Sequence, residues 1–450
     1  MSRKYDVIVI GAGNAGLAVA RQTHAAGLQT AIIETAEFGG TCPNRGCTPK
    51  KVLVAAARAL DEIGRAHHHA IKVEAPVLDW ARLIDREQAL VAQLPAAMRR
   101  VAAERATIYE GLARFVGRNE IEVNGECLAA THIVIATGSV PRELPVPGAS
   151  LVKTSDDLLT ERALPGHVVF IGGGVIAMEF SHVLARAGSQ VTVLEALPRL
   201  LPRVDADAVE VLKQASQALG IDFVTDVEVQ GVSRAGGRYQ VDYRVAGRSE
   251  ALLADSVVNG AGRVPNVASL DLPAGGIAHD GTAIEVDAHL RSTSNPSVWV
   301  VGDALPSTAQ LSPLATAEGS RVGAAIVNGI GDEAQRHSVA QVVHTTPALA
   351  TVGLTEAQAR KQYPALEVHT NDMTSWLSAK THAETTAWAK VLVDAASDRI
   401  VGAHLVGHGG DELINLFTLA MDHDIGASSL RSTIFAYPTF SSDLRNLFQA

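Results

Sequence analysis

One structural unit occurs twice in this chain, and the repeat limits what it can fold into. The β-branched run Tyr5-Asp6-Val7-Ile8-Val9-Ile10 reads as a strand and leads into Gly11, Gly13 and Gly16. A helix follows to about Ala26, then a second strand from Gln29 to Ile33 that ends on Glu34. Later, Val168–Ile171 leads into Gly172, Gly174 and Ala177, then a helix to about Ala187 and a strand Val191–Leu194 that ends on Glu195. In both copies the first glycine and the terminal acid are 23 positions apart. Two ordinary crossovers with turn glycines have no reason to share that spacing, whereas two dinucleotide-binding units do. The first glycine permits a tight turn. The second lets a pyrophosphate approach the positive end of the helix, and the third lets the helix lie close on the strand. The acid accepts hydrogen bonds from the adenosine ribose. The expected class is therefore α/β, with two Rossmann-like dinucleotide-binding domains.

The rest of the composition narrows the partners. A chain of 450 residues is too long for one ordinary core. Its net charge of −10 and its 4% aromatic content argue against nucleic acid or anionic lipid as a partner. No apolar run approaches the length of a membrane span, and Val7–Ile10 runs straight into glycines, so it is a strand and not a signal peptide. The expected compartment is the reducing cytoplasm, where a close cysteine pair is more often catalytic than structural.

Two of the three cysteines bracket one six-residue stretch, Cys42-Pro43-Asn44-Arg45-Gly46-Cys47, shortly after the first fingerprint. A thiol pair beside a nucleotide site is suited to moving electrons between a cofactor and sulfur or a soft metal. Pro49 favours a helix start at Cys47, and a thiolate at a helix N-terminus is stabilised by the helix dipole, so the Cys47 pKa is expected to fall. Cys127, in an Asn-Gly-Glu turn region, reads as an inert thiol. No ligand set for a resident metal is read. His67-His68-His69 are consecutive and do not share one helix face, so they read as a solvated helix end.

The pattern as a whole resembles the flavin-dependent pyridine nucleotide–disulfide oxidoreductases, the family of glutathione reductase, lipoamide dehydrogenase and mercuric reductase. The segments that carry the resemblance are Gly39-Gly40-Thr41-Cys42 through Lys51, Ala136-Thr137-Gly138, Gly172 to Glu179, Gly262-Arg263, Gly302-Asp303 and Thr351-Val352-Gly353-Leu354-Thr355-Glu356. The resemblance implies FAD on the first unit, a nicotinamide cofactor on the second and a C-terminal α+β dimerisation domain in a homodimer. It implies an FAD-binding domain over residues 1–145 with a helical hairpin from Pro49 to about Ala103. An NAD(P)-binding domain follows over 146–275, a return to the central domain over 276–335, and the dimerisation domain over 336–450, with strands and two helices. Asp303 would hold the ribityl chain and Glu34 the FAD ribose, with Gly40, Thr41, Ala113, Thr137, Gly138, Gly262 and Arg263 among the cofactor contacts. Cys42 would attack substrate and Cys47 would face the flavin. Lys50 and Glu179 match a family ion pair on the nicotinamide side. Glu195 favours a ribose hydroxyl over a 2′-phosphate, so NADH is expected rather than NADPH, although Arg199 and Arg203 follow closely.

The chain departs from the family at its end. Where the disulfide reductases carry a His-Pro-Thr segment and a glutamate five positions later, this chain has Tyr437-Pro438-Thr439 and Ser442, with Asp443 one position late. A positioned acid–base is worth roughly 10²–10⁴ in rate. Tyrosine, with a pKa of about 10, is a poor base at neutral pH. Such a site suits an acceptor whose leaving group is already a stable anion, such as an activated disulfide or a soft metal complex. Mercuric reductases carry a tyrosine in the corresponding region. They also use a C-terminal cysteine pair, and this chain ends Asn446-Leu447-Phe448-Gln449-Ala450 without one. Arg21 matches a glutathione contact, but Ser320 and Met98 replace two others, which disfavours glutathione. His404, His408 and His423 are further candidates for the missing base, and spacing selects none of them.

The leading expectation is electron flow from NAD(P)H through flavin to the Cys42–Cys47 disulfide and on to a disulfide or thiol-bound small molecule. The alternatives are a reductase of a metal ion or small electrophile, and a redox-sensing flavoprotein.

Overall fold

A computed structural model describes residues 2–306, 309–330 and 337–448. The boundary expected between 335 and 336 and the terminal Gln449-Ala450 lie outside the described residues. The chain packs as two units: Met1–Val52, Ile84–Arg142 and Arg263–Gln335 form the first, and Leu53–Leu83, Glu143–Gly262 and Arg336–Ala450 the second.

The first unit is built on a seven-stranded sheet. Strands Thr107–Glu110, Thr30–Glu34, Arg3–Ile10, Glu126–Ile135 and Val298–Val300 run parallel, and Glu120–Val123 and Ala113–Gly117 add an antiparallel edge. Val7, Ile8, Val9, Ile32, Ile133 and Val134 are fully buried, as expected of parallel strands covered on both faces. The helix Asn14–Ala25 packs against the helix Ser312–Asn328. A side chain at Gly319 would put its Cβ 2.2 Å from the Ala15 carbonyl oxygen, so glycine is needed at this crossing.

The second unit holds a four-stranded parallel sheet in the order Ile221–Val224, Gln190–Leu194, His167–Ile171, Ser256–Asn259. A three-stranded antiparallel sheet spans Glu228–Ala235, Arg238–Val245 and Arg248–Ala254. A five-stranded antiparallel sheet follows, in the order Gln341–Val343, Leu349–Gly353, Arg399–Gly407, Ala387–Asp394, Leu366–Asp372. Among the described residues this region has four α-helices rather than the two expected: Glu356–Gln362, Leu377–Thr381, Gly410–Asp422 and Ala427–Ser432. The three short ones escape periodicity because none exceeds two turns. The expected hairpin from Pro49 to Ala103 likewise contains three α-helices, Cys47–Arg65, Trp80–Val91 and Leu94–Ala103.

A buried charge cluster ties the second unit together. Lys390 is 2% exposed, and its ammonium lies 3.0 Å from Asp205, 2.6 Å from Asp207 and 2.6 Å from Glu356. Asp205 also accepts from the Asp207 and Glu356 backbone N–H groups and so caps the helix Ala206–Ala218. Burial opposes the charge on both Lys390 and Asp205. The bonds to Asp207, Glu356 and Asp205 outweigh it and raise the lysine pKa, and the Glu356 N–H, His404 and Lys390 together lower that of the aspartate. Lys390→Met strands a buried carboxylate and is expected to cost about 3–5 kcal/mol. This is read as a lower urea midpoint, and an unchanged midpoint contradicts the assignment.

Candidate active site

The first fingerprint forms a tight backbone cradle. Gly11 has φ +107°, and a Cβ there would lie 2.3 Å from the Ala136 carbonyl oxygen. A Cβ on Gly16 would lie 2.0 Å from the Gly11 carbonyl oxygen. Gly13 precedes the first turn of the helix Asn14–Ala25 and bridges to Gly39. Glu34, at the end of its strand, accepts from the Ala12 N–H at 2.7 Å and from the N–H groups of Thr35 and Ala36. The second copy repeats this. Gly172 has φ +102° and would meet the Ala261 nitrogen at 2.5 Å, and Gly174 caps the helix Val175–Ala187. Ala177 is fully buried. Glu195 accepts from the Gly173 N–H at 2.5 Å and from Leu197 at 2.8 Å. In both copies, then, the terminal acid grips the residue after the first glycine.

The residues around the first cradle fit a flavin dinucleotide. The Thr137 hydroxyl is buried and has no protein partner. Gly138 beside it takes φ +69° and accepts from the Asn266 N–H. Asp303 accepts from the Ser139 hydroxyl at 3.1 Å, and Arg263 holds that same hydroxyl at 2.9 Å. Burial pushes the Asp303 carboxyl up, against the opposing pull of Ser139 and Arg263. Gly262 takes φ +94° with open space around it. Ala113 is buried in its strand, 1% exposed. A buried orphan hydroxyl beside a largely buried carboxylate is suited to the polar chain of a bound nucleotide.

The cysteine pair sits on a break between two helices. Gly40, at φ +67°, leads into the short helix Thr41–Arg45, and a second helix runs from Cys47 to Arg65. Gly46 between them has no room for a side chain, since a Cβ would lie 2.8 Å from the Thr41 carbonyl oxygen. Asn44 fixes the turn by donating to the carbonyls of Phe38 and Gly40. Pro49 is buried in the first turn of the second helix, and the Lys50 N–H donates to Gly46. Both cysteines are free thiols, Cys42 half-buried and Cys47 exposed.

Within the pair the shared hydrogen bond favours the thiolate on Cys42, whereas the helix dipole alone favours it on Cys47. The hydrogen bond from Cys47 is the largest influence on Cys42. Burial opposes it, and Ser312 and Asn14 add further hydrogen bonds, lowering the Cys42 thiol to about 6. Cys47 is pushed up chiefly because it donates to Cys42; the packing of its sulfur against Cys42 and the charge there act in the same direction, although the residue as a whole is exposed. The side-chain bond to a neighbouring thiolate therefore outweighs the helix terminus. Sequence reasoning missed Asn14 and Ser312. They are hydrogen-bonded to each other but lie far apart along the chain, so no local signal joins them.

The remaining predicted site residues belong to the second unit. Glu179 is 1% exposed and accepts from the His344 N–H at 2.6 Å. Tyr437 is 69% exposed. Ser442 is buried, and its hydroxyl donates back to the Thr439 carbonyl, so it serves the local turn. Among the three candidate histidines, His404 is buried between Thr351 and the Leu354 carbonyl, with burial lowering its pKa. His423 is exposed. His408 is buried between two carboxylates. His67, His68 and His69 form an exposed 3₁₀ turn with Ala66. Among the described residues no cluster of His, Cys, Asp and Glu is fit to hold a metal, and no helix is long and apolar enough to cross a membrane.

Comparison with known proteins gives consistent relatives. The profile described as pyridine nucleotide-disulphide oxidoreductase matches residues 5–319, and that of the family's dimerisation domain matches residues 339–448. A glutathione reductase from Burkholderia cepacia is 32% identical over 98% of each chain. A dihydrolipoyl dehydrogenase from Thermus scotoductus is 32% identical over 100% of this chain and 97% of its own. Among solved structures, the HOCl-induced flavoprotein disulfide reductase RclA from Escherichia coli superposes with a TM-score of 0.87 at 30% identity, covering 99% of both chains. A Cu(II) complex of that protein also superposes at 0.87, with 30% identity over 98% of this chain and 99% of that one.

Thiol trapping tests the assignment of the acidic cysteine. In the reduced protein, alkylation of Cys42 should rise with pH through about 6 and level off above it, with Cys47 slower at neutral pH. Preferential labelling of Cys47, or a rate that keeps climbing towards an ordinary thiol value of about 8.5, contradicts it.

Proposed function

This chain belongs to the pyridine nucleotide–disulphide oxidoreductases, FAD-dependent enzymes that use NAD(P)H and act on sulfur groups. From that premise we propose that it reduces small acceptors of the form R–S–X, in which both X and RS leave as stable anions. What supports this reading is the free Cys42–Cys47 pair, with Ser312 and Asn14 hydrogen-bonded to Cys42, and the absence of a histidine at 437 and a glutamate at 442 to serve a poor leaving group.

The Cys42 thiolate attacks the acceptor sulfur, the S–X bond breaks, and X departs as an anion with its electron pair. The resulting mixed disulfide is resolved by the sulfur of Cys47, which displaces RS⁻, and the Cys47 proton leaves. Two electrons have passed from the dithiol to the acceptor, and the Cys42–Cys47 disulfide is closed. FAD bound at the first cradle would supply the relay by which NADH reopens that disulfide. The hydrogen bonds from Cys47, Ser312 and Asn14 favour the Cys42 thiolate, so no external base is needed to start the reaction. Lys50 and Glu179 keep the roles implied by the family resemblance, as do Thr137, Asp303 and Glu34 towards FAD. Residues 1–145 and 276–335 are assigned to the FAD domain, 146–275 to the nicotinamide domain and 336–450 to the dimerisation domain. In a homodimer the C-terminal segment of one subunit would complete the dithiol site of the other. A thiol-bound soft metal is a second acceptor class, favoured by the Cu(II) complex of the similar E. coli protein.

The structure of the second cradle supports NADH. The Glu195 carboxylate is buried and already engaged with backbone, and the Arg199 guanidinium is spent on the carbonyls of Val204 and Pro202. A 2′-phosphate there meets a carboxylate without a free partner from Arg199. NADH is expected to exceed NADPH in kcat/KM by at least about 10-fold, which corresponds to about 1.4 kcal/mol. Equal use of both contradicts the assignment.

Cys42→Ser tests the dithiol itself. It should abolish acceptor turnover while leaving electron transfer from NADH to flavin intact. Retained acceptor turnover would falsify the proposal.

A further inference from the structure

The C-terminal turn lacks the family's histidine–glutamate pair, yet a different charged group lies beneath it. His408 is 1% exposed. Its Nδ1 lies 2.7 Å from Glu384 Oε2 and its Nε2 lies 2.9 Å from Asp443 Oδ2. An ionised carboxylate only accepts hydrogen bonds, so a protonated ring can donate to both carboxylates at once and a neutral ring to only one. The His408 backbone N–H also donates to Glu384, and the Ser378 hydroxyl donates to Asp443. Phe440, from the same turn as Asp443, packs on the imidazole at 4.6 Å between ring centroids, and Trp376 meets it edge-on at 6.4 Å.

The backbone makes the side chain at 408 notable. Gly407, His408 and Gly409 take φ +72°, +56° and +63° in succession. Glycine is the unstrained choice at each of these positions. A histidine held there against that preference, with every polar atom of its ring satisfied by charge, points to a use for the ring.

We propose that His408 is a positioning residue for the acceptor half-reaction. Clamped between Glu384 and Asp443, it fixes the turn Phe440–Asn446 and with it the adjoining segment that presents Tyr437. The inference rests on the reading above that this segment completes the partner subunit's dithiol site.

The clamp has a pH sense. Burial alone would lower the His408 pKa, but the bonds to Glu384 and Asp443 outweigh burial and raise it. The clamp is therefore fully closed below the ordinary histidine value of about 6.5 and opens as pH rises through the raised one. A neutral ring can donate to only one of the two carboxylates, and the other is left facing a lone pair. The charged and titratable groups around it come from several elements. Glu384 follows the helix Leu377–Thr381, and Asp443 comes from the C-terminal turn. His382 stacks on Phe440 at 4.9 Å, and Asp411 in the next helix is paired with Arg58 at 2.5 Å.

The test uses the FAD-loaded enzyme, NADH and an aromatic disulfide with a nitrothiophenolate leaving group, across pH 6 to 10. His408→Gln is expected to lower acceptor turnover by up to about 10²-fold, the scale on which a misplaced site loses rate. It should also abolish the alkaline fall in that turnover and leave NADH-to-flavin transfer unchanged. Glu384→Gln should move the alkaline limb to lower pH, because one of the two charges that hold the proton is gone. His382→Asn should leave the limb in place. A merely structural His408 would lower stability without moving the limb, so an unmoved limb in Glu384→Gln overturns the inference, even where His408→Gln fails to fold. Acceptor turnover that survives Cys42→Ser overturns the dithiol reading and this inference with it. Turnover lost in Cys42→Ser but unaltered in His408→Gln overturns this inference alone.

Discussion

Backbone pressed against backbone is the constraint on which this structure depends. At Gly11 and again at Gly172 the chain leaves a strand so tightly that a single added carbon would sit 2.3 and 2.5 Å from the neighbouring main chain. Those two turns aim helix N-termini out of the sheet, and each is locked by a carboxylate reaching back from the next strand, Glu34 or Glu195. The dithiol depends on the first turn, because the Gly39 N–H bonds to the Ala12 carbonyl, and Gly39 and Gly40 set the start of the cysteine helix. The geometry that would hold the nucleotide and the geometry that holds the sulfur pair thus share one loop.

The chemistry follows from which of two thiols loses its proton. A helix terminus acts over a full turn and is screened, whereas a thiol, a hydroxyl and an amide in contact with one sulfur act at hydrogen-bond range. On that difference rests the proposal that Cys42 is the thiol that attacks without a base. It also bounds the acceptor, because an activated nucleophile does nothing for a leaving group that departs as a basic thiolate. The absence of a histidine at 437 is then consistent with the dithiol rather than a defect in it.

Much of this was legible in the sequence, for reasons that differ by region. The strands of both fingerprints were placed within a residue or two, since β-branched runs and obligatory glycines leave few alternatives. The cysteine helix was legible from Pro49 and the spacing. The short helices at Glu356–Gln362, Leu377–Thr381 and Ala427–Ser432 were not, because one or two turns carry too little periodicity to register. Asn14 with Ser312, and His408 with Glu384 and Asp443, were invisible for another reason. Each set is assembled from segments distant in the chain, and only the packed fold brings its members together.

The most direct test of the account is oxygen-free NADH oxidation by the FAD-loaded protein with a panel of acceptors. The panel sets lipoamide and glutathione disulfide against an aromatic disulfide and thiol-complexed Hg(II) and Cu(II). The account predicts rapid turnover with the aromatic disulfide or the metal complexes and slow turnover with the alkyl disulfides. Rapid reduction of an alkyl disulfide would mean that some group does supply a proton to a basic leaving thiolate, and the proposed acceptor class would be wrong.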